Sequence, residues 1–565
     1  MVMARVLIIA ASSSLAHYLV NRLSKSPVVE ACHLAPRFHG GSYARLLAEH
    51  AINTVIYSPQ LHSQKRIIPH LAEAAAVFAE CAHTGMARVI LLSSAAIYGA
   101  GPHNPGFISE LQALARSRVN AVGNVWVKLE ALATASLGQH TGTQLTIVRP
   151  AALLAPGEAN YFSRLFCRRF AITLPLHDPS LQLLSPEDLA SAVCSAVERH
   201  EGGVFNVAPD GVIPLRVALR MAGVRRVPLW RIVQRLPRQV LSSFDLAHPT
   251  DQLEYIRYSW TISNKKIKQE LGFVPTQSSA EVLQDFLHHQ GHGKYGGPAR
   301  RLDFDDFGRD PHYIRAWRRR LFTLLHDYYW RIEVKGIEHI PRQGRAVLAG
   351  THRGFMPFDG MMILHLVARE VGRYVRFLIH PGLTKTPFPF NWWKLGGLNA
   401  CRENADYVLQ HDELLGYFPE GVQGALRYYR EAYRLGKFGR DEYVKAALRN
   451  RAPIVPFVTV GSAEIFPIIA KIHWPWWQRL SMWPCIPIAP PFPFLPLPLP
   501  TKWHTRFLAP LPVEQHYPPE AANDAATVRA ISQEVRARMQ NAIDDMLRRR
   551  KSIFVGSVFE CEANS

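Results

Sequence analysis

The chain has 565 residues, which is more than one hydrophobic core supports, so its length predicts at least two domains. Hydrophobic residues make up 48% of the chain and charged residues 19%, a composition that excludes a largely disordered protein. The chain carries 65 lysines and arginines against 45 aspartates and glutamates, a net charge of +20. This charge favours a negatively charged partner and leaves open nucleic acid, an anionic lipid surface or a phosphorylated substrate.

The seven cysteines are scattered and form no Cys-x-x-Cys pair, so the sequence signals neither a disulfide framework nor a zinc site. We interpret them as reduced thiols of a cytosolic protein. The apolar stretch within residues 1–20 is short, and polar residues follow where a signal peptide would have its small-residue cleavage site. It is typical of a buried first strand, and we expect neither a signal peptide nor a transmembrane helix.

The first half of the chain alternates strand-like and helix-like patterns. Apolar runs begin at Arg5, Thr54, Arg88 and Gln144, and helical patterns such as Leu71–Cys81 lie between them. Continuous apolar strands that alternate with helices require a parallel sheet covered on both faces. The sequence therefore predicts an α/β fold class, with a doubly wound, Rossmann-like domain over residues 1–287.

Residues 288–310 are rich in glycine and charge and lack apolar periodicity, so we predict an inter-domain linker there. A second domain is predicted over 311–552 and a tail over 553–565. Its first helix, Tyr313–Trp330, mixes arginines with aromatic residues, which suits either an interfacial helix or a helix packed on its own domain. The stretch Trp474–Pro500 is too rich in proline to span a bilayer, and either covers the core or places tryptophans among lipid headgroups. A C-terminal helix is predicted over Asp524–Lys551.

The turn after the first strand reads Ile9-Ala-Ala-Ser-Ser-Ser-Leu-Ala-His, where a dinucleotide-binding fold needs glycines for close approach of the pyrophosphate. With Ser93-Ser-Ala-Ala-Ile-Tyr-Gly, Val148-Arg-Pro and Gly203-Val-Phe-Asn-Val-Ala, residues 4–285 resemble the extended short-chain dehydrogenase/reductase family of NAD-dependent epimerases and dehydratases. The resemblance assigns cofactor-binding and catalytic positions to Ala10, Ser13, Ala16, Ser94 and Lys128.

This first-domain motif set departs from its family at the positions that matter for chemistry. Ala10, Ser13 and Ala16 replace glycines, and Asn124 stands four residues before Lys128, where the family has its tyrosine. A tyrosine there exchanges the hydroxyl proton during hydride transfer, and an amide cannot titrate to do so. The sequence therefore disfavours NAD(P) binding and redox activity and predicts a retained fold with a regulatory or interface role.

Three ordered motifs occupy the second half: Gly350-Thr-His-Arg-Gly-Phe-Met-Pro-Phe-Asp-Gly, Tyr417-Phe-Pro-Glu-Gly-Val-Gln-Gly and Ala452-Pro-Ile-Val-Pro-Phe. With Tyr433-Arg-Leu-Gly-Lys-Phe-Gly-Arg, they make residues 330–550 similar to the glycerolipid acyltransferase superfamily, in particular to its monoacylglycerol- and diacylglycerol-acyltransferase-like bacterial branch. The resemblance implies an α/β domain that transfers a fatty acyl group to a glycerolipid hydroxyl.

Acyl transfer from a thioester to an alcohol requires a base, since an unassisted hydroxyl is a poor nucleophile at neutral pH. We assign the base to His352 and the carboxylate that holds its tautomer to Asp359. On one straight helix residues seven apart would lie about 10 Å apart, so the two must meet through a turn, for which Gly354 and Pro357 are suited. Asp359 is predicted at the N-cap of a helix over Gly360–Glu370. The alternative is an aspartate that only caps this helix beside a loop histidine.

Four further residues are candidates for substrate binding. Glu420 and Gly421 match the superfamily motif that lines the acceptor site, and Arg402 matches the segment before it. Arg427 could hold a phosphate or be an ordinary surface arginine. Relatives with phosphorylated acceptors have an arginine two residues after the motif glycine, where this chain has Gln423. That difference favours a neutral acceptor such as mono- or diacylglycerol over lysophosphatidic acid.

The sequence thus predicts a fusion of a degenerate dehydrogenase-like domain with an acyltransferase that uses acyl-CoA or acyl-carrier protein as donor. No cofactor and no metal site are expected for this reaction. The expected partners are the acyl donor, a glycerolipid acceptor and an anionic membrane surface, with no nucleic acid, and the expected location is the cytoplasmic side of a membrane, peripherally attached. Two alternatives stay open: a bifunctional enzyme with an active NAD(P)-dependent first domain, and a non-enzymatic scaffold on a lipid surface.

Overall fold

A computed structural model describes residues 3–10, 13–35, 43–59, 67–112, 121–138, 142–156, 160–174, 177–228, 254–290, 305, 307–380, 383, 390–439, 441–475, 483–492 and 497–559. The chain divides into two compact units, Met1–Gly308 and Arg309–Ser565. Most of the predicted linker and the end of the predicted tail lie outside the described residues.

The first unit is built on a parallel sheet. Its strands are β1 (Ala4–Ala10), β2 (Val29–Leu34), β3 (Thr54–Ser58), β4 (Arg88–Leu92), β5 (Gln144–Pro150), β6 (Ala152–Leu153), β7 (Phe170–Thr173), β8 (Ser180–Leu181), β9 (Leu183–Leu184), β10 (Gly203–Val207), β11 (Ile213–Pro214) and β12 (Arg225–Pro228). Six of them form one sheet in the order β2-β1-β3-β4-β5-β10, with every pair parallel. The chain runs outward from β1 to β2 and then returns to β3, which is the reversal of a doubly wound fold.

Helices cover both faces of this sheet, and β3 and β4 are buried along their whole length. The helices of the first unit are Ser13–Leu23, Ala44–Glu49, Ile67–His83, Ala121–Leu137, Tyr161–Phe166, Pro186–Arg199, Leu215–Met221, Lys265–Leu271 and Ser279–His289, with a 3₁₀ turn at Ala95–Tyr98. The apolar runs that indicated strands therefore form the central strands of the sheet, and the predicted fold class is confirmed.

A buried polar network ties together the carboxyl ends of the central strands. Arg149 at the end of β5 pairs with Glu130 at 2.6 Å, and both side chains are less than a tenth exposed. Ser93 Oγ donates to the same carboxylate at 2.5 Å. Arg149 also donates to Tyr98 Oη at 2.7 Å, and this hydroxyl donates to Asn206 at 2.8 Å. The network compensates the burial of a charged pair, which would otherwise be costly.

The second unit is built on a mixed sheet. Its strands are β13 (Glu333–Lys335), β14 (Ala346–Gly350), β15 (Val375–Ile379), β16 (Leu398–Asn399), β17 (Leu414–Tyr417), β18 (Ile454–Val460), β19 (Ala470–Ile472), β20 (Ile486–Ile488) and β21 (His504–Phe507). The main sheet has the order β13-β21-β18-β14-β17-β15-β16, and only the β18–β21 pair is antiparallel. Strands β19 and β20 form a separate antiparallel hairpin.

Helices of the second unit surround this sheet. They are Pro311–Trp317, which continues through π-helical segments Arg318–Phe322 and Leu324–Tyr329, then Phe358–Glu370, Arg402–Gln410, Gly421–Ala425, Glu442–Arg449, Val513–His516 and Ala525–Arg549, with 3₁₀ turns at Ile337–His339, Tyr429–Glu431 and Pro519–Asn523. Among the described residues no helix combines the length and the apolar character needed to cross a bilayer.

Two ambiguous segments of the second half are resolved by their packing. In the first helix of the unit, Ile314 and Phe322 are fully buried in the core, whereas Leu324 and Tyr328 are exposed. The proline-rich stretch begins just after β19 and contains β20 and the described part of the connection between them, where Trp474 is half exposed and Trp483 packs against the core. Both segments therefore contribute one side to the core and another to the surface.

Candidate active site

The candidate site lies at the carboxyl edge of the second sheet, where β14, β15 and β17 end side by side. Parallel strands bring their carboxyl ends to one edge, which is where open α/β sheets bind ligands. His352 follows β14 by two residues, Phe418 directly follows β17 and His380 directly follows β15. Thr351 accepts a hydrogen bond from the backbone N–H of Thr459 at 3.1 Å, which ties the start of the loop to β18.

His352 and Asp359 are in direct contact. His352 Nδ1 lies 2.7 Å from Asp359 Oδ2, and the aspartate is 1% exposed. The same oxygen accepts from the backbone N–H of Arg353 at 2.9 Å, and Oδ1 lies 2.7 Å from the N–H of Gly360. These contacts account for both carboxylate oxygens and fix the orientation of the imidazole.

The loop between the two residues reverses through Gly354, whose φ of +67° lies in the region that favours glycine. The helix that follows begins at Phe358, with Pro357 at its N-cap position. Asp359 therefore lies in the first turn of the helix. The predicted position of Asp359 at the N-cap is wrong, because the helix begins one residue before it. Its carboxylate turns back toward the loop because the loop supplies a backbone N–H and the histidine.

The imidazole of His352 forms one wall of an apolar cavity. Its ring stacks on Phe418 at 4.5 Å between centroids, and Phe418 stacks on Phe377 at 5.1 Å. Because Nδ1 faces Asp359, Nε2 is the ring nitrogen left for a substrate. The His352 side chain is 15% exposed and lines the cavity.

The cavity has a volume of about 340 Å³. Its walls are largely aliphatic and aromatic and include Phe322, Phe355, Met361, Leu364, Trp392 and Trp483. Among the described residues that line it, none is a lysine or an arginine, and the titratable ones besides His352 are His380 and Tyr417. Such a wall accepts an uncharged, apolar ligand.

Glu420 and Gly421 lie side by side in the chain but face different surroundings. Gly421 lines the cavity, with a φ of +55°. Glu420 is buried outside the cavity lining, where one oxygen accepts from Arg353 at 2.6 Å and the other from the backbone N–H of Gly436 at 2.7 Å. Arg427 lies 3.3 Å from the same carboxylate. The structure thus places Glu420 in a buried ion pair with Arg353, and the partly exposed Arg427 beside it, behind the loop that contains His352.

Arg402 lies apart from His352, at a second cavity of about 690 Å³. It is 64% exposed and its Nε lies 3.5 Å from Asp406. The two cavities share Leu378, Ala400 and Tyr417 as lining residues. Arg402 therefore does not contact the cavity that His352 lines.

The first unit places its predicted cofactor positions at the carboxyl ends of β1 and β4. Ala10 ends β1, Ser13 begins the next helix, and Ala16 is 1% exposed within it. Ser94 caps the turn after β4 by accepting from the N–H of Ala96 at 3.2 Å. Lys128 is exposed on the helix Ala121–Leu137.

The side chains near these positions do not fit nicotinamide chemistry. Asn124, one helical turn before Lys128, is exposed and offers an amide where a titratable proton donor is needed. Near the end of β2, where the fold usually holds an adenosine ribose with an acid, His33 stacks on His50 at 4.0 Å. We therefore assign no redox step to this unit.

Comparison with known proteins agrees with the geometry of the second unit. A family model described as acyltransferase matches residues 331–460, which contain both His352 and Asp359. An uncharacterised protein of Mycobacterium tuberculosis is 36% identical over 259 residues, which cover 45% of this chain and 72% of that protein. The chain belongs to the acyltransferase family. The acyltransferase resemblance that the motifs of residues 330–550 indicated is thus confirmed.

Two further relatives of this acyltransferase differ in how much they share with it. A Mycobacterium leprae protein is 34% identical over 259 residues, 45% of this chain and 70% of that protein. The chloroplastic phytyl ester synthase 2 of Arabidopsis thaliana is 30% identical over 145 residues, which are 24% of this chain and 20% of the plant protein.

The first unit of the acyltransferase is similar to solved sugar-nucleotide enzymes. The crystal structure of UDP-N-acetylglucosamine 4-epimerase from Bacillus cereus is 13% identical, with a TM-score of 0.37, over 51% of this chain and 99% of that chain. A dTDP-glucose 4,6-dehydratase from Bacillus anthracis is 10% identical, with a TM-score of 0.39, over 52% and 98%. The fold of this unit is established by its own strand order and not by these similarities.

Two residues of the acyltransferase unit that support the site were not singled out from the sequence. Arg353 follows the histidine, is 2% exposed and joins His352 O, Ala432 O and Glu420. The ring of Phe418 stacks against the imidazole of His352. A buried arginine next to a motif histidine is unusual enough to be a signal, but its partners are 67 and 79 residues away in the chain, so the sequence could not name them.

Gly350→Ala is expected to lower acyl transfer by about 10²-fold through misplacement of the histidine. A Cβ at this position would lie 1.9 Å from the ring of Phe457 in β18, so the ring must move. Phe457 contacts Phe418, with 6.2 Å between the ring centroids, and the ring of Phe418 stacks on that of His352. Turnover measured beside Gly142→Ala, an exposed glycine of the first unit with open space around its Cβ position and no left-handed φ, tests this. Wild-type turnover of Gly350→Ala would show that the contact does not position the histidine.

We expect His365 to make the stability of the acyltransferase unit depend on pH. It is 2% exposed, neither ring nitrogen has a hydrogen-bond partner in the structure, and its ring lies 5.4 Å from that of His326. Burial lowers the pKa of His365 to about 4, and the charges of Arg318 and Arg369 act in the same direction, against Asp327. The unfolded chain takes up this proton near pH 6.5, so stability is lost as the pH falls from about 6.5 to about 4.

A pKa difference of this size corresponds to about 3 kcal/mol of unfolding free energy between those pH values. Urea unfolding at several pH values should therefore show a weaker pH dependence for His365→Leu than for the wild type. Equal pH dependence of the two proteins would mean that His365 does not carry the effect.

Proposed function

We propose that this acyltransferase transfers a fatty acyl group from a thioester donor to the hydroxyl of a neutral lipid, with His352 as the general base. The observation that carries the proposal is the buried contact of His352 Nδ1 with Asp359 at 2.7 Å, while the same ring lines an apolar cavity. An oriented imidazole beside an apolar cavity is the arrangement that activation of a lipid alcohol requires.

In the proposed step, Nε2 of His352 takes the proton of the acceptor hydroxyl as its oxygen attacks the thioester carbonyl. The new C–O bond forms, the C–S bond breaks, and the leaving thiolate receives the proton from the imidazolium. The products are an ester and a free thiol, and His352 returns to its neutral state. Asp359 holds the tautomer that presents Nε2 and stabilises the imidazolium during the step.

The lining of the cavity supports a neutral acceptor. A phosphate group is usually bound by arginine or lysine, and no described lining residue is either. Gln423 stands where relatives with phosphorylated acceptors have arginine, which points the same way. The plant relative is named for the synthesis of phytyl esters, and phytol is also an uncharged lipid alcohol. We therefore favour a monoacylglycerol, a diacylglycerol or a long-chain alcohol over lysophosphatidic acid.

The roles of the remaining candidates follow from their contacts. Gly421 lines the acceptor cavity, whereas Glu420 and Arg427 act as positioning residues behind it. Acyl-CoA and acyl-carrier protein both supply the required thioester, and the transfer itself needs no cofactor. For the first unit we propose a non-catalytic role, since Asn124 stands where a nicotinamide site needs a titratable proton donor, and the His33–His50 stack stands where the fold usually holds an adenosine ribose with an acid.

The test is an acceptor panel with the full chain. Labelled acyl-CoA is incubated with monoacylglycerol, diacylglycerol, phytol and lysophosphatidic acid, each in detergent micelles. We expect labelled ester from one or more neutral acceptors and little from lysophosphatidic acid. Transfer to lysophosphatidic acid alone would contradict the neutral acceptor, and transfer to none with either acyl-CoA or acyl-carrier protein would contradict the proposed function.

A further inference from the structure

Exposed apolar side chains of the acyltransferase unit are concentrated in four short segments: 324–328, 469–474, 497–499 and 553–555. Leu324, Tyr328, Ile469, Ile472, Leu497 and Phe554 are each between 49% and 74% exposed. Single exposed apolar residues are normal on a protein surface, but a group of this size needs an explanation.

Hydrogen bonds join three of these segments side by side. Tyr329 donates to the carbonyl of Pro498 at 2.6 Å, and Trp330 donates to that of Leu499 at 3.1 Å, which places the first helix against 497–499. Arg331 at the end of this helix donates to the carbonyl of Phe554 at 2.9 Å. Segments 324–328, 497–499 and 553–555 therefore form one surface.

The hairpin continues this surface toward the cavity. Leu499 donates its N–H to the carbonyl of Ile465 at 3.0 Å, just before the hairpin strand Ala470–Ile472. The chain connecting the two hairpin strands carries Trp483, which lines the cavity that also contains His352. We call the four segments together the apolar strip.

Basic side chains accompany the apolar strip. Arg320 stands four residues before Leu324 and eight before Tyr328, so the three lie along one side of the helix, and Arg319 and Arg320 are both exposed. On the hairpin, the partly buried Lys471 lies in the chain between the exposed Ile469 and Ile472, with its Nζ 4.1 Å from the ring centroid of Tyr428. Apolar side chains together with cations are the combination that binds the surface of an anionic bilayer.

We propose that the apolar strip is the face by which the acyltransferase docks on an anionic lipid bilayer, with the cavity next to the hairpin connection, whose Trp483 lines it. The proposal rests on the proposed function in one respect, namely that a lipid acceptor must reach His352 from a membrane. The charge complementarity and the continuity with the cavity favour a bilayer over a second copy of the chain as the occupant.

The test compares co-sedimentation of the full chain with vesicles of phosphatidylcholine alone and with equimolar phosphatidylglycerol. The variant combines Ile469→Asp with Ile472→Asp, and its matched control combines Leu111→Asp with Val274→Asp, two exposed apolar residues of the first unit. We expect the strip variant to bind the anionic vesicles at least about tenfold more weakly, with the control unchanged. A second variant, Arg319→Gln with Arg320→Gln, should weaken binding to anionic vesicles only.

Transfer to an acceptor dispersed in detergent micelles separates docking from chemistry. The strip variant should keep transfer in micelles and lose it on vesicles. Vesicle binding without transfer in any format would contradict the proposed function and leave the docking face standing. Unchanged vesicle binding of both variants would overturn the docking face. It would also be overturned if light scattering showed a dimeric wild type and a monomeric strip variant that still binds vesicles, since the strip would then be an interface between two copies of the chain.

Discussion

His352→Ala is expected to reduce acyl transfer by about 10²- to 10⁴-fold, the range that a positioned general base contributes. The loss should appear in kcat, because the imidazole acts on the hydroxyl proton in the transition state rather than in substrate binding. Turnover with labelled acyl-CoA and the best acceptor of the panel measures it. The matched control is His411→Ala, an exposed histidine that stacks on Tyr407 at 3.9 Å.

Asp359→Asn extends this prediction to the partner of the histidine. The amide keeps the shape of the side chain but presents different hydrogen-bonding groups to His352 Nδ1 and to the N–H of Arg353. A large fall in kcat with little change in KM is therefore expected, since the imidazole loses its oriented tautomer. Wild-type turnover by both His352→Ala and Asp359→Asn would exclude the proposed base.

Glu420→Ala is expected to lower the free energy of unfolding by about 3–5 kcal/mol. Glu420 and Arg353 are each 3% exposed at the side chain, so removal of the carboxylate leaves a guanidinium buried without its main counter-charge. Nine of the twelve tryptophans lie in the second unit, so their fluorescence during urea unfolding reports chiefly on this unit. The control Glu431→Ala removes a half-exposed carboxylate near Arg427 and should cost at most about 1 kcal/mol.

A double variant distinguishes a positioning role of Glu420 from direct contact with substrate. Arg353→Met with Glu420→Met removes both charges and should recover much of the lost stability, because no buried charge is left without a partner. If Glu420 instead bound the acceptor directly, Glu420→Ala would raise KM while the unfolding midpoint stayed in place. That result would restore the prediction made from the motif.

Several features of this protein could be predicted from the sequence because they depend on local pattern. The run of residues 89–92 is apolar throughout, and only a strand covered on both faces buries such a run. His352 and Asp359 were predicted to meet through a turn, since a glycine and a proline lie among the six residues between them. The structure has this turn at Gly354.

The surroundings of Glu420 could not be predicted from its motif. Its partners, Arg353 and Gly436, come from other loops, and a carboxylate at a strand end can face either the cavity or the interior behind it. Arg402 shows the same limit, since its motif position gave no indication that it lies at a different cavity. A motif identifies which residue types are present, whereas side-chain direction depends on the packing of distant segments.

The sequence by itself determined the fold class of both units, the acyltransferase family, and the pairing of His352 with Asp359. These features depend on residue type and on short spacing in the chain. Only the tertiary structure decided that the cavity beside His352 is apolar, that Glu420 is buried in an ionic cluster, and that exposed apolar segments lie together. Leu324, Leu497 and Phe554 are more than fifty residues apart in the chain, and hydrogen bonds between their segments bring them onto one surface. Such contacts form between segments far apart in sequence, so no local pattern specifies them.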